Sequence, residues 1–275
     1  AIYRLRRQQA PKVDDPRGLL LDWNMPAARL VTLLDDPRPA VVRRASERLQ
    51  ALGGQAVALV AKQFQRLGPA GRCRAVWTLA GMPQQAARRV IRDALSDPDE
   101  TVCHAAIHAA AIWRDRDAVP NLVRLLQSAH PHHRRAAAEA LGRCGDPAAV
   151  PPLLQAAATA EDRILEHSLI YALFEIGDAA SLAAVEGPPR ARRAALLALD
   201  MLPHGGLQGE QVAALLEGPD PLLRDTAAWL VLRHPEWGGV LAPRLGARLQ
   251  AAAGASEGEQ AELAEIGRAS CRERV

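Results

Sequence analysis

One pattern returns seven times along 275 residues, and no other feature of the sequence restricts the fold as strongly. Each copy carries a Pro-containing turn, then a basic residue followed by small residues, then Leu or Ala six places beyond the basic one. The basic positions are Arg43, Arg74, His104, Arg135, His167, Arg193 and Arg224; their partners six places on are Leu49, Ala80, Ala110, Leu141, Leu173, Leu199 and Leu230. Successive spacings are 31, 30, 31, 32, 26 and 31 residues. A unit this short cannot bury an apolar face alone, so neighbouring copies must stack and share one core.

Composition says what the unit is made of. Hydrophobic residues form 49% of the chain, mostly Ala and Leu, and aromatics only 3%, while β-branched residues come singly rather than in strand-like runs. Two helices per unit follow. In the fourth copy, Asp117 to Ala129 sets Val119, Leu122, Val123, Leu125 and Leu126 at helical spacing; after Pro131 a second helix runs to a stop at Gly142. Proline recurs near the start of the second helix (Pro37, Pro69, Pro98, Pro131, Pro188, Pro221), where its missing N–H costs nothing. Asp36, Asp97 and Asp220 beside those prolines are expected caps. Ala45, Ala75, Ala106, Ala137 and Ala195 let successive second helices approach closely. The expectation is an all-α, right-handed α-solenoid of about seven helical hairpins over residues 24–253, with one helix row convex and the other concave.

This pattern resembles the HEAT family, in the short form also found in phycobilisome-lyase-like proteins. Longer phrases go further: YRLRRQQAPKVDDPRGLLLDW (3–23), LLDDPRPAVVRRA (33–45), ILEHSLIYALFEIGD (164–178), RRAALLALDML (192–202) and RHPEWGG (233–239). Together they resemble the HEAT section of large planctomycete-type membrane-bound dehydrogenases. That resemblance implies an exported, periplasmic parent with an upstream six-bladed propeller and a downstream cytochrome c module carrying CxxCH and haem c. Neither motif lies in these residues, so the resemblance brings no catalytic residue and no cofactor site to this chain. Residues 1–23 then read as the remnant of an upstream domain, with Ile2, Tyr3 and Leu5 as its last strand, followed by an extended linker. Residues 254–275 read as a disordered tail, of which EIGRASCRERV (265–275) resembles a translated sequencing adapter on a metagenomic fragment.

The residues that could carry chemistry are few. Net charge is +3 and the pI about 8.9, yet Lys12 and Lys62 are the only lysines, so the excess is modest beside that of a dedicated nucleic-acid binder. No apolar run reaches the length of a membrane span. Cys73, Cys103, Cys144 and Cys271 form no CxxC; Cys73 and Cys103 sit at equivalent repeat positions and read as free, buried small hydrophobes. His104 and His108, four apart on one helix, have the spacing at which two imidazoles share a metal, but a zinc site needs a third ligand. Trp77, Trp113 and Trp229 fall on helical apolar faces and read as core, Trp23 and Trp237 as covers for the array's ends, and Glu166 and Glu175 as a solvated face.

The basic positions present two readings. Arg43, Arg74, Arg135, Arg193 and Arg224, flanked by Arg44, Arg72, His133, Arg134 and Arg192, could line the concave row and contact a protein partner or neighbouring domains. Alternatively they pair with turn carboxylates such as Asp36 and Asp97 and hold the repeats together. The expected function is a non-catalytic scaffold for protein interaction. The rivals are a nucleic-acid binder of the DNA-glycosylase type, which needs an unbroken basic face, and a chromophore lyase, which needs an apolar pocket with a Cys or carboxylate.

Overall fold

A computed structural model describes residues 12–203 and 205–251; the expectations for residues 1–11 and 252–275, Cys271 included, lie outside it. Among the described residues every regular element is a helix. The chain divides into two compact units, residues 1–121 and 122–275. The first holds α1 (Ala27–Thr32), α2 (Pro39–Leu52), α3 (Gly54–Gln63), α4 (Pro69–Ala80), α5 (Gln85–Ala94) and α6 (Glu100–Trp113), and the division falls within α7 (Val119–Leu125). The second holds α8 (Pro131–Cys144), α9 (Val150–Ala158), α10 (Arg163–Ile176), α11 (Ala179–Ala183), α12 (Pro189–Met201), α13 (Gly209–Leu216), α14 (Pro221–Arg233) and α15 (Gly238–Ala251).

The even-numbered helices are the second helices of the repeats, and each packs on the next within its unit: α2 on α4 on α6, and α8 on α10 on α12 on α14. In the first unit α1, α3 and α5 form a second layer in the same order; in the second, α9 and α11 pack on α12 and α13 on α14. The expected all-α array of helical hairpins is therefore what forms.

Burial sets the register of the repeat. Counting from the first residue, the third, seventh, tenth and eleventh are buried in every even helix but α2, whose tenth is the half-buried Arg48: Val102, Ala106, Ala109 and Ala110 in α6; Ala191, Ala195, Ala198 and Leu199 in α12; Leu223, Ala227, Leu230 and Val231 in α14. That is the i, i+4, i+7, i+8 stripe of a core-facing helix. On this frame the helices start at 39, 69, 100, 131, 163, 189 and 221. The true equivalents at the fifth position are Arg43, Cys73, His104, Arg135, His167, Arg193 and Asp225. Arg74 is one place late and Arg224 one place early, so the seven basic residues are not one row. Cys73 and Cys103 likewise hold different positions: Cys103 is buried and Cys73 half-buried, both as free thiols, and burial pushes the Cys103 thiol up to about 11.

Several local signals shift by a few residues. Proline opens α2, α4, α8, α12 and α14, but as Pro39 and Pro189 in α2 and α12, not Pro37 and Pro188, and Pro98 lies in the turn before α6. Asp220 caps α14 through the Leu223 N–H as expected, whereas α6 is capped by Asp99 and α10 by Asp162. Asp36 and Asp97 instead accept the Arg38 and Asp99 N–H groups and tighten their own turns. Helix α8 runs past Gly142 to Cys144 and ends at Gly145, whose φ of 63° suits glycine. Gly142 serves the packing of α8 on α10, since a Cβ there would lie 2.8 Å from Ala172 Cα.

Residues 12–23, expected as linker, are folded against α2. The Asp15 carboxylate accepts the N–H groups of Leu19 and Leu20 at 2.7 and 3.0 Å. Trp23 Nε1 donates to Gly18 O at 2.7 Å, and the Arg44 guanidinium lies 4.3 Å from the buried Trp23 ring. Gly18 is needed there twice over: its φ is 64°, and a Cβ would meet Val41 Cγ2 at 2.7 Å. Trp23 thus covers the start of the first unit, as its place in the sequence suggested.

Candidate functional site

Two of the five proposed contact arginines, and two of the residues flanking them, are consumed by the fold. Arg74 Nη1 donates to Leu34 O at 2.7 Å and Asp36 O at 3.0 Å, reaching back into the preceding repeat's turn. Arg224 Nη1 donates to Gly218 O and Pro219 O just before its own helix. Arg72 and Arg134, at the same fourth position, donate to Leu67 O and Ser128 O. Each guanidinium therefore occupies carbonyls of the turn that leads into an even helix. Arg72 also makes a two-point pair with Asp97, Nε to Oδ2 at 2.9 Å and Nη2 to Oδ1 at 3.0 Å, where the Asp97 side chain is wholly buried. The pairing foreseen for Asp97 is real, but through Arg72; Asp36 is taken by Arg38, which holds its carboxyl below the usual range.

Three of the proposed residues stay accessible. Arg43 is exposed and only touches Glu47 at 4.0 Å; Arg135 is half-buried on α8. Arg193 has the richest setting: its Nε donates to Glu166 Oε1 and its Nη1 to Thr226 Oγ1, both at 3.0 Å, so it ties α10, α12 and α14 together. Glu166 is thereby an ion-pair partner and not a solvated residue.

Arg193 lies in a groove of about 480 Å³ over the second unit's even helices. Arg163, Glu166, His167 and Ile170 come from α10, Arg193 and Leu197 from α12, and Asp225, Thr226 and Trp229 from α14. Its apolar side is Ile170, Leu197 and Trp229. Trp229 is 46% exposed, with the Arg233 guanidinium 4.7 Å from its ring, and Trp77 in the first unit is equally exposed, so the core reading of both fails. Both occupy the ninth position of an even helix, as does Tyr171, also exposed. Trp113 is largely covered, its Nε1 donating to Ala80 O at 2.9 Å. A second, smaller groove of about 240 Å³ lies beside Tyr171, lined by Glu139, Arg143, His167, Ser168 and Glu175.

His104 and His108 do meet: their Nε2 atoms are 3.1 Å apart, with the rings edge to face. That distance is a hydrogen bond between one protonated and one bare nitrogen. Nothing in the spacing of the repeat points to a further histidine. His234, just after α14, has Nε2 2.5 Å from Asp200 Oδ1 and Nδ1 2.5 Å from Glu236 Oε1, and its ring stacks on Trp237 at 4.0 Å. Burial disfavours the imidazolium, but the two carboxylates outweigh it and raise the His234 pKa, while His234 lowers that of Glu236.

The class these features define is an all-α array of stacked helical hairpins. The HEAT-repeat family pattern matches residues 105–173, from α6 into α10. Solved structures of similar fold include the CpcE–CpcF complex of phycocyanin lyase from Nostoc sp. PCC7120, at 17% identity and TM-score 0.37, covering 98% of each chain. Another is a chain of the Kap95p–RanGDP complex, at 15% identity and TM-score 0.48, covering 80% of this chain and 36% of that one. Human deoxyhypusine hydroxylase follows at 21% identity and TM-score 0.38, covering 90% of this chain and 96% of that one. At these identities and scores none of the three bears on what this chain does. No curated protein sequence matches it.

Proposed function

We propose that the chain is a non-catalytic scaffold in which the even helices of each unit, taken by itself, dock protein. The observation that carries this is the repeated exposure of large aromatic side chains at one helical position, with Trp77, Tyr171 and Trp229 each more than 40% exposed at the ninth residue of α4, α10 and α14. Large aromatic side chains left in water at the same helical position in three of the seven repeats are an interface signature. The ionisable groups nearby support a scaffold over an enzyme: Glu166 is engaged by Arg193, and Arg72, Arg74, Arg134 and Arg224 hold turn carbonyls. The test is affinity capture with the chain as bait, wild type beside a Trp77→Ala/Tyr171→Ala/Trp229→Ala variant of matched helicity. Proteins retained by the wild type and lost from the variant support the docking face; equal recovery from both counts against it.

The phrases at 3–23, 164–178 and 233–239 support a further reading of the parent as an exported, dehydrogenase-like protein in which this section joins a propeller to a cytochrome c module. Cofactor and substrate would then belong to those other domains. Sequencing the complete reading frame decides it. A propeller on one side and CxxCH on the other is the expected result, and a frame encoding the repeats alone sinks the idea.

A further inference from the structure

Two imidazoles meet on one face of α6. His104 and His108 hold its fifth and ninth positions, the places taken by Cys73 and Trp77 in α4. Both are half-buried, so the rings are steadied by their surroundings yet remain within reach of dissolved ions. Their Nε2 atoms converge to 3.1 Å, with the ring planes at 89°. Helical spacing brings residues four apart to about 5–6 Å between Cβ atoms, but it does not by itself turn the same nitrogen of each ring toward one point. Here both rings do so. Two nitrogens held by one transition-metal ion at about 2.0–2.1 Å, with about 90–110° between the bonds, lie about 2.8–3.4 Å apart. The observed separation falls inside that range, so an ion can be bound without moving the helix backbone.

We propose that His104 and His108 form a two-imidazole site for a divalent transition-metal ion, Cu²⁺ foremost. In the hydrogen-bonded pair one Nε2 carries a proton and donates it to the other. The ion takes the place of that proton, which moves to Nδ1 of the same ring; both imidazoles stay neutral and each gives one nitrogen lone pair. Two protein ligands are too few for the closed tetrahedral shell of a structural zinc site, and the other positions fall to water. Copper suits that arrangement best. It heads the order of affinities for nitrogen sites, and its tetragonal geometry takes two nitrogens side by side with water at the remaining corners. Ni²⁺ and Zn²⁺ follow, whereas Mg²⁺ and Ca²⁺ prefer oxygen and do not compete. An ion bridging the fifth and ninth residues also ties one turn of α6 together, so binding stabilises the folded chain. The site is independent of the docking role proposed above, which rests on the exposed aromatic residues.

Titration of the tag-free full chain with Cu²⁺ at pH 7.5, in a buffer that does not bind copper, tests the site by calorimetry and electron paramagnetic resonance. One equivalent of Cu²⁺ should depend on the pair and show nitrogen hyperfine structure from two imidazoles. His130, His132 and His133, whose ring centroids lie 4.4–5.5 Å apart, are a second group of histidines able to take copper, so the comparison is between variants and not of total uptake. His104→Gln and His108→Gln should each lose the equivalent or weaken it at least about tenfold, which corresponds to about 1.4 kcal/mol for one missing ligand; His130→Gln should retain it. Cu²⁺ should also raise the melting temperature of the wild type and of His130→Gln by more than that of His108→Gln. His108 is half-buried and glutamine keeps a hydrogen-bonding group there, so this variant carries the test if His104→Gln loses helicity. The same stoichiometry and affinity in the wild type and in His108→Gln overturn the proposal. So does loss of the equivalent in His130→Gln alone, which would place the ion at the start of α8.

Discussion

The Arg72–Asp97 pair shows at the scale of single residues why an arginine-rich repeat is not automatically an anion-binding surface. A guanidinium that meets a buried carboxylate at two points and a backbone carbonyl at a third is occupied in a way a lysine could not reproduce. Removing one partner strands the other, so Asp97→Ala is expected to cost about 3 kcal/mol in urea unfolding, and Arg72→Lys should recover only part of the loss seen with Arg72→Ala. His234 offers a pH-dependent counterpart. Its folded pKa is raised by Asp200 and Glu236, so its contribution is complete below the unfolded value of about 6.5 and disappears as pH climbs through the folded value. The melting temperature of the wild type should therefore exceed that of His234→Gln most at pH 5.5 and least at pH 9; a gap that widens with pH would contradict the two-carboxylate clasp.

Among elements, the even helices were legible in the sequence and the odd ones less so, for a physical reason. Helices of about 13 residues bury the same positions from repeat to repeat, and that demand writes a period into the chain. Helices as short as α1 and α11, with six and five residues, carry too little periodicity to define their ends. The register escaped by one residue because arginine is long: from the fourth or the sixth position its guanidinium reaches turn carbonyls equally well, as Arg72 and Arg74 do in one helix. The groove was invisible for a related reason. Trp77 and Trp229 fall at helical spacing from core positions yet stand one place before the buried tenth residue, and one place turns a side chain by about 100°. Two substitutions probe these elements. Asp220→Ala removes the α14 cap and should lower stability by about 1 kcal/mol. Gly142→Ala inserts a methyl where α8 and α10 nearly touch and should cost about 1–3 kcal/mol, read by thermal denaturation.

Taken as a whole molecule, the chain has a small positive surplus and has already committed many of its cations. Binding to duplex DNA should accordingly be no tighter than about micromolar and should vanish by about 200 mM salt, as measured by mobility shift; a nanomolar complex surviving that salt would restore the nucleic-acid reading. The dependence on guanidinium has a practical corollary. The turns are held by arginine, and the side-chain amines are confined to Lys12 and Lys62, both exposed. Amine-directed labels, surface-coupling reagents and lysine cross-linkers will therefore address only the first unit's side chains, leaving the groove over α10, α12 and α14 chemically untouched on a sensor chip.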